Sequence, residues 1–274
     1  MIHLKSSEEI EIIAQGGAII AGLFRELEPQ VQPGASTGEL NRFCDEFICS
    51  YDGATPAFKG LYGFPGSVCT SLNEEVVHGI PNYKRLLEEG DILSIDVGVK
   101  LDGWCSDSAW TFPVGEIDSE AKRLCQVTQE SLDLAIEAAQ PGNRVGDIGA
   151  AVVQRVDTTG FGIIRDLVGH GVGRSVHEEP QVPNVGKAGI GPALREGMVL
   201  AIEPMLSAGT PEIRTLVDGW TVVTGDMTRS AHYEHTVAIT REGPRILTME
   251  PVPAMGRDAL RAPRGQMQDG APTA

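Results

Sequence analysis

Apolar residues recur at helical spacing in two stretches near the start of the chain. Ile10, Ile13, Ala14, Gly17 and Ala21 share one helical face, and Leu40, Phe43, Cys44, Phe47 and Ile48 share another. Ser6-x-x-Glu9 and Ser36-x-x-Glu39 mark the two helix starts. In that pattern the serine hydroxyl and the glutamate carboxylate each accept a backbone N–H that the first turn leaves unpaired. Two further helices are predicted over roughly 119–139 and 147–158, with Pro141-Gly142 interrupting the chain between them. The apolar runs then shorten. Ile92-Leu93-Ser94-Ile95 and Val199-Leu200-Ala201-Ile202 are too brief for helices and read as buried strands. From Pro251 the chain is rich in Pro, Gly, Ala and Arg and has no period, so residues 251–274 are predicted to form a flexible tail.

The pattern repeats. Gln32-Pro33-Gly34 followed by Gly38-Glu39-Leu40 recurs as Gln140-Pro141-Gly142 followed by Gly146-Asp147-Ile148. Val77-His78-x-x-Pro81 recurs as Val176-His177-x-x-Pro180, and Glu89-Gly90-Asp91 through Asp96 recurs as Glu196-Gly197-Met198 through Glu203. The offsets are 108, 99 and 107 residues, in the same order each time. Such self-similarity predicts a duplicated unit. The expectation is one catalytic domain over residues 1–250, made of two α+β halves (roughly 5–115 and 116–248) packed about a pseudo-two-fold axis.

Composition narrows the function. A formal net charge of −16 repels nucleic acid and anionic membranes. No apolar run approaches the ~20 residues of a membrane span, and the first residues lack the apolar segment of a secretion signal. Five irregularly spaced cysteines, an odd number, argue against a disulfide framework and for the reducing cytoplasm.

The repeat places Asp96 and Glu203 at equivalent points, each predicted to end a buried strand, with Asp107 and Glu234 following at matching places. Buried carboxylates are costly unless they are paired or bind a cation. Residues 92–112 read as a hairpin turning near Leu101-Asp102-Gly103. A Leu101-Asp102 loop sets Asp96 opposite Asp107, and an Asp102-Gly103 loop makes them diagonal neighbours on one face. A three-residue loop would part them. His170, in Gly169-His170-Gly171-Val172-Gly173, adds a nitrogen. That segment has the wrong spacing for a dinucleotide fingerprint. His177-Glu178-Glu179-Pro180 is not a zinc-peptidase helix, because it lacks a second histidine and Pro180 breaks a helix. Four carboxylates and an imidazole suit two hard-to-borderline divalent ions such as Mn, Co, Fe or Zn. Such a pair can share and acidify a bridging water and polarise a carbonyl.

Val68-Cys69-Thr70-Ser71-Leu72-Asn73-Glu74-Glu75-Val76-Val77-His78-Gly79-Ile80-Pro81 resembles the hallmark segment of the bacterial type I methionine aminopeptidases. Ser94 to Gly98, Gly103 to Asp107, Gly169 to Gly173, Ile202 to Met205 and Tyr233 to Val237 resemble the same family in its order. The likeness extends over roughly residues 5 to 248. It implies the pita-bread α/β fold, with a central antiparallel sheet, and removal of the initiator methionine ahead of a small second residue. By the same resemblance Asp107 and Glu234 bridge two metal ions, Asp96 chelates one, and His170 and Glu203 complete the other. His78 and His177 hydrogen-bond the substrate, and Glu203 accepts the proton of the attacking water. Phe58, Leu61, Phe64, Cys69, Val176 and Trp220 match the methionine pocket. Leu61 and Val176 depart from the tyrosine and phenylalanine common there. Asn73 and Ser230 match a monovalent cation site of some relatives. The implied partner is the N-terminus of nascent polypeptides, with transient ribosome contact, and the implied state is a monomer.

Two competing readings remain. One is a proline-specific aminopeptidase or prolidase of the same fold, which usually carries a further N-terminal domain. The other is a metal-free peptide-binding protein, which would be expected to have lost ligands.

Overall fold

The computed structural model describes residues 1–249 of the 274-residue chain. The tail predicted over 251–274 lies outside the described residues. Among the described residues four α-helices form: α1 (Ser7–Leu27), α2 (Thr37–Cys49), α3 (Ser119–Ala138) and α4 (Val145–Val156). Both predicted capping boxes are made. Ser6 Oγ accepts the Glu9 N–H at 3.3 Å while the Glu9 carboxylate accepts the Ser6 N–H at 2.9 Å. Ser36 and Glu39 do the same at 3.2 and 3.1 Å. The last helix starts two residues before the predicted 147, because the Asp147 carboxylate accepts the Arg144 N–H at 2.7 Å and fixes the cap there.

The strands, all short except two, are β1 (Ala54–Pro56), β2 (Cys69–Leu72), β3 (Glu75–Val77), β4 (Ile92–Leu101), β5 (Trp104–Pro113), β6 (Gly162–Ile163), β7 (Val168–Gly171) and β8 (Glu178–Pro183). They continue as β9 (Val199–Ile202), β10 (Met205–Ser207), β11 (Ile213–Thr215), β12 (Val222–Thr224), β13 (Ser230–His232), β14 (His235–Thr240) and β15 (Gly243–Ile246). Every pairing is antiparallel. In the first half β1 and β2 pair with β4, and β5 pairs with β4 along its whole length. In the second half the order is β15-β14-β9-β7-β8.

The duplication is visible in the backbone. Gly34 N–H donates to Leu87 O at 2.8 Å, and Gly142 N–H donates to Leu194 O at 2.9 Å. The isolated antiparallel bridges Ser36–Leu86 and Arg144–Ala193 are equally matched. Gly90 and Gly197 turn with φ of 92° and 90°. These left-handed values favour glycine, which has no Cβ to clash. One apolar cluster lies around α1, α2 and β4 and another around α3, α4 and β9, so each helix pair covers its own sheet.

The two sheets meet at β5 and β14. Glu234 N–H donates to Ala109 O at 2.9 Å, and Ser108 Oγ donates to Glu234 O at 2.6 Å. Asp107 and Glu234 therefore stand on the seam between the halves. Among the described residues no helix is long and apolar enough to cross a membrane.

Candidate metal centre and substrate cavity

Leu101 pairs with Trp104, so the hairpin turns through Asp102-Gly103, both at positive φ (48° and 85°). This is the two-residue turn that matches strand twist. It sets Gly98 opposite Asp107 and Asp96 opposite Ala109. The two aspartates are thus diagonal neighbours on one face. Asp96 does not end its strand as the sequence pattern suggests: β4 runs on to Leu101, because Val97 to Leu101 keep pairing with β5. Glu203 does follow the end of β9, where Pro204 supplies no N–H to extend the ladder.

His170 arrives from β7, which is squeezed between β8 and β9. A Cβ on Gly169 would lie 2.3 Å from Ala201 O, and one on Gly171 would lie 2.3 Å from Glu179 O. The glycines flanking His170 therefore allow the close strand approach that brings its ring to the acids. Its Nε2 lies 3.5 Å from Glu203 Oε1 and 3.8 Å from Asp107 Oδ2. Its Nδ1 faces Gly171 O at 3.0 Å. Ligand atoms of Asp107, His170 and Glu234 all fall within 4.8 Å of one another.

This cluster is costly without a cation. Asp96 Oδ1, Asp107 Oδ1 and Glu234 Oε1 are buried and have no hydrogen-bond partner. Burial raises all four carboxyls, Asp96 to about 7, and repulsion among the acids pushes Asp107, Glu203 and Glu234 well above their ordinary range. Burial holds His170 down at about 4, so it offers a neutral nitrogen at neutral pH. Orphaned oxygens, mutual repulsion and a neutral imidazole fit divalent cations held by Asp96, Asp107, His170, Glu203 and Glu234.

The acids form the floor of a cavity of about 360 Å³. Phe58, Leu61, Phe64, Cys69 and Trp220 line it, as do His78 and His177. Phe64 and Trp220 meet edge to face with centroids 5.2 Å apart, and Trp220 meets His78 likewise at 6.3 Å. Val176 is the exception among the residues matched to the methionine pocket. It is buried in the same apolar cluster as Phe58, Phe64 and Cys69 but is not among the residues that line the cavity. The His177 and His170 rings meet edge to face at 4.5 Å, and Tyr62 stacks with His177 at 6.0 Å. Burial lowers the pKa of both His78 and His177, keeping them neutral. His78 sits at φ 61°, a strained left-handed position for a residue with a Cβ.

Asn73 and Ser230 are neighbours, the Ser230 N–H donating to Asn73 O at 2.7 Å. Both side chains already have protein partners, Asp91 and Ile92 for Asn73 and Leu206 O for Ser230.

Several residues of the site escaped the sequence pattern. Tyr62, Val77, Asp166, Leu167 and Val168 also line the cavity. His232 is buried, with its Nε2 3.7 Å from Glu203 Oε2 and otherwise unpartnered. Its only sequence signal was a position two residues before Glu234.

A two-fold arrangement of antiparallel sheets enclosing a buried carboxylate–imidazole cluster beside an apolar cavity defines a pita-bread metallopeptidase. The chain belongs to metallopeptidase family M24, which matches residues 11–241, and within it to the methionine aminopeptidases. It is 52% identical over 249 residues to the methionine aminopeptidase of Clostridium perfringens, covering 91% of this chain and 99% of that one. The solved methionine aminopeptidase of Thermotoga maritima superposes with a TM-score of 0.89 at 45% identity, covering 91% of this chain and 100% of that chain. The prolidase of Pyrococcus horikoshii shares the fold at a TM-score of 0.72 and 26% identity, but the match spans only 63% of its length.

Proposed function

We propose that this enzyme removes the N-terminal methionine from nascent proteins and peptides, preferring a small second residue. The observation that carries the reading is the joining of an apolar, aromatic-walled slot to a floor of buried, unpartnered carboxylates. The slot suits a thioether, which gains from soft apolar and aromatic contact. Asp96, Asp107, His170, Glu203 and Glu234 hold two divalent metal ions, whose identity we assign no more narrowly than Co, Mn, Fe or Zn. When bound, such ions supply positive charge that polarises a carbonyl and makes water acidic at neutral pH.

The protein's own residues do the rest. Phe58, Leu61, Phe64, Cys69 and Trp220 seat the methionine side chain and exclude water from it. Valine at 176 leaves the slot bounded by its neighbours. His78 and His177, neutral and on opposite repeats, donate hydrogen bonds to the scissile amide and to the charge that develops on its oxygen. Glu203 accepts the proton of the attacking water. Because ligands come from both repeats, residues 1–250 work as one catalytic unit. The enzyme acts in the cytoplasm as a monomer that meets the ribosome transiently; its acidic charge and reduced cysteines support that setting and give no footing for nucleic-acid binding. The match of Asn73 and Ser230 to a monovalent cation site of some relatives supports such a cation beside them, and the two residues are neighbours.

The test is turnover of Met-Ala-Ser, Leu-Ala-Ser and Xaa-Pro peptides in parallel. Cleavage confined to Met-Ala-Ser is the expected result. Equal turnover of Leu-Ala-Ser would overturn the assignment, and preference for Xaa-Pro would favour a prolidase.

A further inference from the structure

Glu178 follows His177 directly but plays no part in the chemistry above. Neighbouring residues of an extended segment point to opposite sides, so His177 enters the cavity while Glu178 faces a separate hollow lined by His3, Lys5, Trp104 and Arg174. There its carboxylate accepts the Lys5 ammonium at 2.9 Å, the Arg174 N–H at 2.9 Å and the Ser175 N–H at 3.4 Å. The side chains of Lys5 and Glu178 are 3% and 15% exposed, so this ion pair is shielded from water. Lys5 is itself anchored, its N–H donating to Gly197 O at 2.7 Å. The loop entering His177 is gripped from the first half as well. Cys105 N–H donates to Gly173 O at 2.7 Å, and the Arg174 guanidinium lies 4.3 Å over the Trp104 ring. A Cβ on Gly173 would fall 2.4 Å from the Glu178 carboxylate, so glycine there lets the loop close onto it.

We propose that the Lys5–Glu178 ion pair fixes the backbone of Gly173 to Glu178 and thereby sets His177 against the scissile amide, making Glu178 a positioning residue. Lys5, ahead of α1, is tied in this way to a residue 173 positions later, and the imidazole also meets the rings of His170 and Tyr62. A displacement of about 1 Å in such a donor can cost on the order of 10²-fold in rate. The inference rests on the role given to His177 above.

The test is steady-state kinetics on Met-Ala-Ser with the metal-loaded enzyme, at a temperature where every variant is folded by circular dichroism. Lys5→Met and Glu178→Ala should each lower kcat on the order of 10-fold or more, with metal content unchanged. Glu178→Gln, which keeps an oxygen for the Arg174 N–H but loses the charge that pairs with Lys5, should also lower kcat, by less than Glu178→Ala. In a His177→Ala background, Glu178→Ala should lower kcat no further, because the group it positions is gone. Full kcat in folded Lys5→Met and Glu178→Ala would overturn the proposal, as would losses that add to that of His177→Ala. If His177→Ala itself kept full kcat, the role of His177 would fail and this proposal with it.

Discussion

Asp107 and Thr236 are clasped across the seam between the two halves. The Thr236 hydroxyl accepts the Asp107 N–H at 2.9 Å and donates to the Asp107 carbonyl at 2.7 Å. One buried side chain from the second half thus satisfies both backbone groups of Asp107, a proposed metal ligand on the first. Thr236→Val keeps the shape and removes both bonds. It should cost about 1–3 kcal/mol of stability, because a buried N–H and C=O lose their partner. It should also weaken metal binding, read by urea unfolding and titration calorimetry. Unchanged stability and affinity would show that the seam does not need this clasp.

The two histidines should separate from the metal ligands. His78→Ala and His177→Ala each remove a donor that acts on developing charge, so each should lose on the order of 10²-fold in kcat while keeping metal. His170→Ala removes a nitrogen 3.5 Å from Glu203 Oε1 and should lose metal affinity instead. Metal titration beside kinetics on the three variants decides the matter. Loss of metal in His78→Ala as severe as in His170→Ala would make His78 a ligand.

Two glycines of α1 should respond with opposite signs. A Cβ on Gly17 would lie 2.1 Å from Leu247 O, so Gly17→Ala forces the helix off the backbone at Leu247. Helix propensity favours alanine by about 1 kcal/mol, but overpacking against backbone should outweigh it and destabilise by about 1–3 kcal/mol. The nearest neighbour of a Cβ on Gly22 is Phe47 Cζ at 3.7 Å, an ordinary contact. Gly22→Ala should therefore stabilise by roughly 0.5–1 kcal/mol. Thermal melts of both variants test the pair.

The Lys5–Glu178 pair predicts a pH signature in stability. Burial acts to raise the Glu178 carboxyl, but the Lys5 ammonium and the Ser175 and Arg174 N–H groups outweigh it and hold it below 4.5. A depressed carboxyl stabilises the fold above its unfolded pKa and stops doing so as pH falls through its folded value. Lys5→Met should therefore be less stable than the parent by about 1–3 kcal/mol near neutral pH. The gap should close below pH 4.5. A gap that persists unchanged in acid would assign the loss to packing rather than charge.

Much of this was legible in the chain because the duplication repeats short-range signals. Ser-x-x-Glu caps, Pro-Gly breaks and the Asp102-Gly103 turn each act through neighbouring backbone groups, so spacing alone locates them. The alignment of Asp96 with Asp107 followed once the turn length was known. The strand boundary at Asp96 did not follow, because β4 continues only through pairing with β5. Val176 is buried in the cluster that holds Phe58, Phe64 and Cys69 without lining the cavity, and sequence position alone does not tell the two apart. His232 and Tyr62 carry no local pattern: one is brought to Glu203 by the pairing of β13 with β10, and the other reaches His177 from a turn at φ 51°.

The central claim is that buried carboxylates at the seam hold metal and that metal makes the enzyme a methionine-specific aminopeptidase. The most direct measurement is turnover of Met-Ala-Ser after chelation and after return of individual divalent metals, on the parent and on Asp107→Asn. Chelation should abolish turnover in the parent, and at least one of Co, Mn, Fe or Zn should restore it. Asp107→Asn should stay inactive at every metal concentration, since a neutral amide is a poor bridge between cations. Full turnover by metal-free parent enzyme, or by Asp107→Asn with no bound metal, would contradict the account.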